Sequence, residues 1–215
     1  MSLKEKLSQT VEVVKAAVPP AIFGAIGQSI ADLKHTGQDA HAAGVGAKPN
    51  LPVLPGLKGA PVDLHALLAK GPLVLTFYRG GWRPYCNVAL QAFAARARDF
   101  SAQGAHFVAI TPELPENAEA TSDKAAFPFP VAIDAGNVFA RELGLVFSLP
   151  TDLRPLYRQI GIDLAQWNGD EAHELPIPAT YVLDRDGVIR WAFVEADFTQ
   201  RAEPDDVLSA LRALA

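Results

Sequence analysis

Residues 72–87 read Pro72-Leu-Val-Leu-Thr-Phe-Tyr78-Arg79-Gly80-Gly81-Trp82-Arg83-Pro84-Tyr85-Cys86-Asn87. Pro72 to Tyr78 is a short, unbroken apolar run, the pattern of a strand buried on both faces. Gly80-Gly81 supplies a turn, and Asn87 to Phe100 then carries Leu90, Phe93, Ala94 and Ala97 on one helical face. Strand, glycine turn and helix in that order predict an α/β fold. The loop lies outside the carboxyl end of the strand, where open α/β sheets place their sites.

The same alternation extends outward. His106 to Thr111 (HFVAIT) reads as a second buried strand and Pro115 to Ala126 as a helix. Residues 129–134 (FPVAID) fit a short edge strand, where a proline is tolerated. Asn137 to Leu143 is helical and ends at Gly144. Ala179 to Asp184 and Val188 to Val194 flank Arg185-Asp186-Gly187, a strong hairpin signal. Glu203 to Leu214 closes the chain as an amphipathic helix with acidic residues near its start. The expected architecture is a mixed central sheet flanked by helices on both faces.

Before this domain, residues 2–17 place Leu3, Leu7, Val11 and Val14 at helical spacing, with Ser2 and Glu5 as a capping box. Pro19-Pro20 ends that helix, and a second runs from about Ala21 to Lys34. Gly37 to Pro61 is rich in Gly, Pro and Ala and reads as a linker into an extended segment. Residues 1–46 are thus expected to form a helical N-terminal extension, and 47–215 the main domain. The apolar stripe of the first helix has to be covered, by the same domain or across a homodimer.

Composition narrows the function. With 49% hydrophobic and 20% charged residues in 215, the chain can build a core without disulfide or metal staples. A net charge of -5 offers no basic footprint for nucleic acid. The apolar stretch at 16–31 is interrupted by prolines and glycines and is short for a bilayer span. Glu5 and Glu12 sit where a secretory leader would be basic, so a cytoplasmic location is expected. The five histidines are scattered without ligand spacing, and Asp170, Glu171 and Glu174 read as an acidic loop face, so no metal and no cofactor is expected. Gly80-Gly81 lacks the lysine and spacing of a phosphate loop.

Cys86 is the single cysteine, so no internal disulfide can form. A lone cysteine is more often inert packing than chemistry. At the start of a helix, however, a thiol faces free backbone N–H groups and the positive end of the dipole, which favour thiolate. Arg79 and Arg83 add two permanent charges nearby. Trp82 and Tyr85 flank the thiol as loop anchors or as the wall of a substrate pocket. Arg154 and Arg158 would share a helix face, a solvated one on the ordinary reading.

Residues 77–87, FYRGGWRPYCN, resemble the FYRGGWCPYCN signature of peroxiredoxin-like proteins of the AhpC/TSA family, in the thioredoxin-fold superfamily. The similarity continues through HFVAITPE (106–113), FPVAIDAGNVFARELGL (129–145), NGDEAHELPIPATYVLDRDGVIRWAFV (168–194) and DFTQRAEPDDVL (197–208). The resemblance implies a thioredoxin-like fold with Cys86 as the peroxidatic cysteine. On the peroxiredoxin pattern Pro-x-x-x-Thr-x-x-Cys, Arg79 takes the Pro position and Arg83 the Thr position. On Cys-x-x-Cys, Arg83 replaces the first cysteine, so a dithiol cycle is lost. Pro178 falls at the cis-proline that faces the thiol in thioredoxin folds, where typical peroxiredoxins carry an arginine just before the late strand. Arg83 is the expected substitute for that missing charge.

The implied function is a one-cysteine thiol peroxidase acting on hydrogen peroxide or organic hydroperoxides. An external thiol, thioredoxin or glutathione, would restore Cys86. A monothiol disulfide oxidoreductase or thiol transferase is the alternative chemistry. A non-catalytic thioredoxin-fold binding or redox-sensing module is the alternative without turnover.

Overall fold

The structure, a computed structural model, describes residues 1–214. Helices α1 (Leu3–Ala17), α2 (Pro20–His35) and the single turn α3 (Gln38–His41) come first. Strands β1 (Val53–Pro55) and β2 (Pro61–Asp63) form a small hairpin before α4 (Leu64–Leu68). The first crossover follows: β3 (Leu73–Phe77), α5 (Pro84–Ala94), α6 (Ala97–Ala102) and β4 (His106–Thr111). Next come α7 (Pro115–Ala125), β5 (Val131–Ile133) and α8 (Val138–Glu142). Strand β6 (Val146–Ser148), helices α9 (Leu153–Gln159) and α10 (Leu164–Asn168), and β7 (Glu174–Pro176) make a side lobe. The chain ends with the hairpin β8 (Ala179–Leu183) and β9 (Ile189–Val194), and α11 (Pro204–Arg212).

Five strands form the central sheet in the order β5-β4-β3-β8-β9. Strands β3, β4 and β5 are parallel, and β8 and β9 join antiparallel. Strand β3 is buried along its whole length, as its continuous apolar run predicts. Leu73, Leu75 and Phe77 face one core, with Leu64, Phe139 and Leu143 from α4, α8 and its end. Val74 and Tyr78 face the other, with Leu90, Phe93, Val207 and Leu208 from α5 and α11. Helices therefore cover both faces, as the alternation requires.

Three departures from the sequence reading have local causes. The helix expected over Asn87 to Phe100 starts earlier, at Pro84, because proline at the first helical position has no N–H to lose. It then breaks at Ala95-Arg96 into α5 and α6, where Arg96 adopts φ -111 and pairs with Asp99 and Asp205. The segment read as linker contains α3, and its Ala42, Ala43 and Ala47 pack on the core; Ala43 N–H donates to Leu143 O.

Helix α1 carries the expected capping box between Ser2 and Glu5. Its Leu3 and Leu7 are buried against Tyr85, Ala89 and Ala92 of α5 and against Phe198. Leu3 and Leu7 of the apolar stripe are thus covered within the chain, and Val11 and Val14 in part. No helix among the described residues is long and apolar enough to cross a membrane.

Candidate active site

Cys86 is the third residue of α5, with Arg83 at the N-cap and Pro84 at the first helical position. Its N–H donates to Arg83 O at 3.0 Å. The side chain has no exposed surface and sits among Tyr78, Leu90 and Val182. The loop that delivers it is held tightly. Gly80 has φ +147, and a Cβ there would come within 2.3 Å of Trp82 Nε1. At Gly81 a Cβ would lie 1.8 Å from Thr121 Oγ1. Gly81 N–H donates to Glu113 Oε1 at 2.9 Å, and Asn87 Nδ2 donates to Gly81 O at 2.8 Å.

Three arginines gather here. Arg201 Nη2 donates to Cys86 Sγ at 3.6 Å, and its Nη1 donates to the carbonyls of Phe198 and Gln200. Arg83 turns elsewhere: its Nη2 donates to Tyr157 Oη at 2.5 Å, and its guanidinium lies 4.0 Å from the Phe198 ring centroid and 4.8 Å from that of Trp82. Arg79 Nε donates to Pro176 O at 3.0 Å, and its guanidinium stacks over Phe147 at 4.6 Å and Phe198 at 5.0 Å. Among the described residues none of the three forms an ion pair with a carboxylate. Burial, then the charge of Arg83, pushes Arg79 down to about 9. Arg201 is also lowered by burial, opposed by its interaction with Cys86. The sulfur thus lies against the half-buried Arg201, whose guanidinium comes from the loop before α11, and the buried Arg79 and Arg83 lie beyond it.

Behind the glycine turn, Glu113 is fully buried. Burial raises its carboxyl to about 7, against the opposing hydrogen bonds from Gly81 N–H and Thr111 Oγ1. Tyr78, inside the same core, has its phenol pushed well up by burial and by the charge of Glu113.

The sequence-expected residues divide accordingly. Arg79, Trp82, Arg83, Tyr85 and Cys86 do come together. Tyr85 packs on Phe198 with centroids 5.4 Å apart, and Trp82 meets Tyr157 edge-on at 6.2 Å. Trp82, Arg83 and Tyr85 line an apolar cavity of about 470 Å³, which Cys86 does not reach. The Pro178 peptide bond, whose isomer the sequence leaves open, is trans, since no cis peptide bond occurs among the described residues. Only Ile177 and Pro178 separate β7 from β8, with Ile177 N–H held by Leu145 O; this is a passage between two sheets rather than a tight turn. No cluster of three or more potential metal ligands is present among the described residues. Arg158 is exposed and Arg154 Nε donates to Leu149 O.

Arg201, Tyr157, Phe198 and Glu113 are members of the site that the sequence did not single out. Arg201 lies 115 positions from Cys86, and no spacing rule connects them.

The "Peroxiredoxin Q, chloroplastic" of Sedum lineare is 29% identical over 157 residues, covering 73% of this chain and 72% of that protein. The crystal structure of the peroxidoxin BcpB from Mycobacterium tuberculosis superimposes with a TM-score of 0.63 at 23% identity, over 80% of this chain and 98% of that one. A peroxiredoxin Q structure from Xanthomonas campestris gives 0.59 at 20% identity, over 77% and 96%. These neighbours share the thioredoxin-like fold with this chain. The AhpC/TSA family model matches residues 46–192, leaving α1 and α2 outside it. With the thiol at the start of α5, that fold around it and the match over most of its length, the chain belongs to the AhpC/TSA family.

Proposed function

We propose that this protein is a one-cysteine thiol peroxidase of the cytoplasm, reducing hydrogen peroxide or an organic hydroperoxide at Cys86. The Arg201 contact with Cys86 Sγ carries this reading, because it places a guanidinium where negative charge resides before and after attack. The Cys86 thiolate attacks the terminal peroxide oxygen and the O–O bond breaks. The hydroxyl passes to sulfur as sulfenic acid, and the leaving oxygen takes a proton from water to give water or an alcohol. Arg201 hydrogen-bonds the sulfur first and then the leaving oxygen, the part expected of Arg83. Arg79 and Arg83 contribute field rather than contact.

No second cysteine exists in these residues, so an external thiol completes the cycle. It condenses with the sulfenic acid, releasing water and leaving a mixed disulfide, and a second thiol frees Cys86. Thioredoxin or glutathione fits this role. Access is through a cleft of about 230 Å³ between α1 and the loop before α11, lined by Arg201, Thr199 and Leu7. Because Cys86 has no exposed surface, the loop around Arg201 has to open for peroxide to enter. That burial also favours the second reading, a non-catalytic thioredoxin-fold module.

Cys86→Ser separates the two. Peroxide consumption with thioredoxin or glutathione as reductant should vanish in this variant while its circular dichroism stays unchanged. Equal consumption by the two proteins overturns the peroxidase reading.

A further inference from the structure

The 470 Å³ cavity is walled by α1 and α2 on one side and by the Trp82–Tyr85 loop and the end of α9 on the other. Its size is that of a small-ligand pocket. Val14, Phe23, Ile26 and Ile162 make the wall apolar, and the single charged side chain in it is Arg83. Arg83 is 5% exposed, so its charge is almost wholly removed from water. The one hydrogen bond of its side chain among the described residues goes to Tyr157 Oη, and its Nε has no partner. A buried cation without an anion is costly, and removal of charge from water is offset best by an opposite charge. Tyr157 Oη accepts from Arg83, which leaves its own hydrogen free to donate into the cavity that it lines.

We propose that this cavity binds an amphiphile with one carboxylate and an unbranched apolar body, the carboxylate pairing with Arg83 and Tyr157 Oη. The alkyl chain lies between α1 and α2, outside the segment matched to the family. The ligand is held independently of peroxide chemistry, since Cys86 does not line the cavity. A cation finds no carboxylate there, and a polar sugar finds little polar wall.

Dodecanoate and dodecanol, titrated below their aggregation limits, test this through the fluorescence of Trp82 and Trp167, both in the wall. Dodecanoate should give a saturable change, with dodecanol weaker by roughly tenfold or more, the scale of one charge-assisted bond. Arg83→Gln should remove the preference for the acid. Gly27 lines the cavity, and a Cβ there meets nothing within 4 Å, so the side chain of Gly27→Leu starts in open space and projects into the cavity. It should abolish binding of both probes while raising thermal stability slightly, since leucine is the better helix former. No saturable response to dodecanoate, equal affinity for acid and alcohol, or undiminished binding by Gly27→Leu would each overturn the proposal. If Arg83→Gln proves unfolded by circular dichroism, the acid–alcohol ratio of the native protein and Gly27→Leu decide it.

Discussion

Arg201 touches the sulfur from a distant loop, while Arg83, on the same turn as Cys86, gives its hydrogen bond to Tyr157. The distinction has a kinetic consequence. Removing a donor aimed at developing charge costs about 10²- to 10³-fold in rate. Arg201→Gln should lower the rate of Cys86 oxidation by that order, and Arg201→Lys should recover part of it. Arg83→Gln should cost much less, because its bond is made to a phenol. Comparable losses in the Arg83 and Arg201 variants would contradict this assignment. The cysteine was legible in the sequence because a thiol after a strand and a glycine turn has a predictable electrostatic surrounding. The arginine was not, because its approach depends on how the loop 197–203 folds back over α5. For Arg83 the sequence leaves open whether the guanidinium turns toward the sulfur; it lies against the aromatic faces of Phe198 and Trp82.

The loop that carries Cys86 is tied to the end of β4 through Glu113 and Gly81. The Glu113 carboxyl is raised from its ordinary 4.5 to about 7, chiefly by burial. A folded-state value above the unfolded one means that the protonated form is favoured by folding. Its contribution is fully present below about 4.5 and is lost as pH rises through about 7. Relative to Glu113→Gln, which never ionises, the wild type should lose on the order of 3 kcal/mol of stability across that window. Urea unfolding of both proteins at several pH values measures it, and parallel pH profiles would contradict it. Most long elements were readable here: β3, β4 and the β8–β9 hairpin from their apolar runs and turn chemistry, α1 and α11 from period and caps. The break between α5 and α6 was not, since no glycine or proline marks Ala95-Arg96. The two-stranded pairs β1–β2 and β6–β7 also escaped, being three residues per strand and fixed by tertiary pairing rather than by local preference.

For the whole molecule, α1 works as part of the domain. Its N-terminus is held by Glu203, whose carboxylate accepts from the Leu3 and Lys4 N–H groups, and Glu203 follows Arg201 by two positions. Leu7 is 3% exposed and packs in the cluster containing Tyr85 and Phe198. Leu7→Ala should therefore cost about 2–5 kcal/mol, read from chemical unfolding. A loss well under 1 kcal/mol would mean that α1 is only loosely attached. The N-terminal helices close one cavity over Arg83 and one side of the cleft leading to Arg201, so the same packing governs both proposed binding events.

We infer that Cys86, buried beside Arg201, is a peroxide-reducing thiol. Mixing the reduced protein with hydrogen peroxide in a stopped-flow instrument tests it most directly, with tryptophan fluorescence as signal and mass spectrometry to identify the product. Oxidation should run orders of magnitude faster than that of a free cysteine, with sulfenic acid on Cys86 and no signal in Cys86→Ser. A rate no faster than that of the free thiol would contradict it.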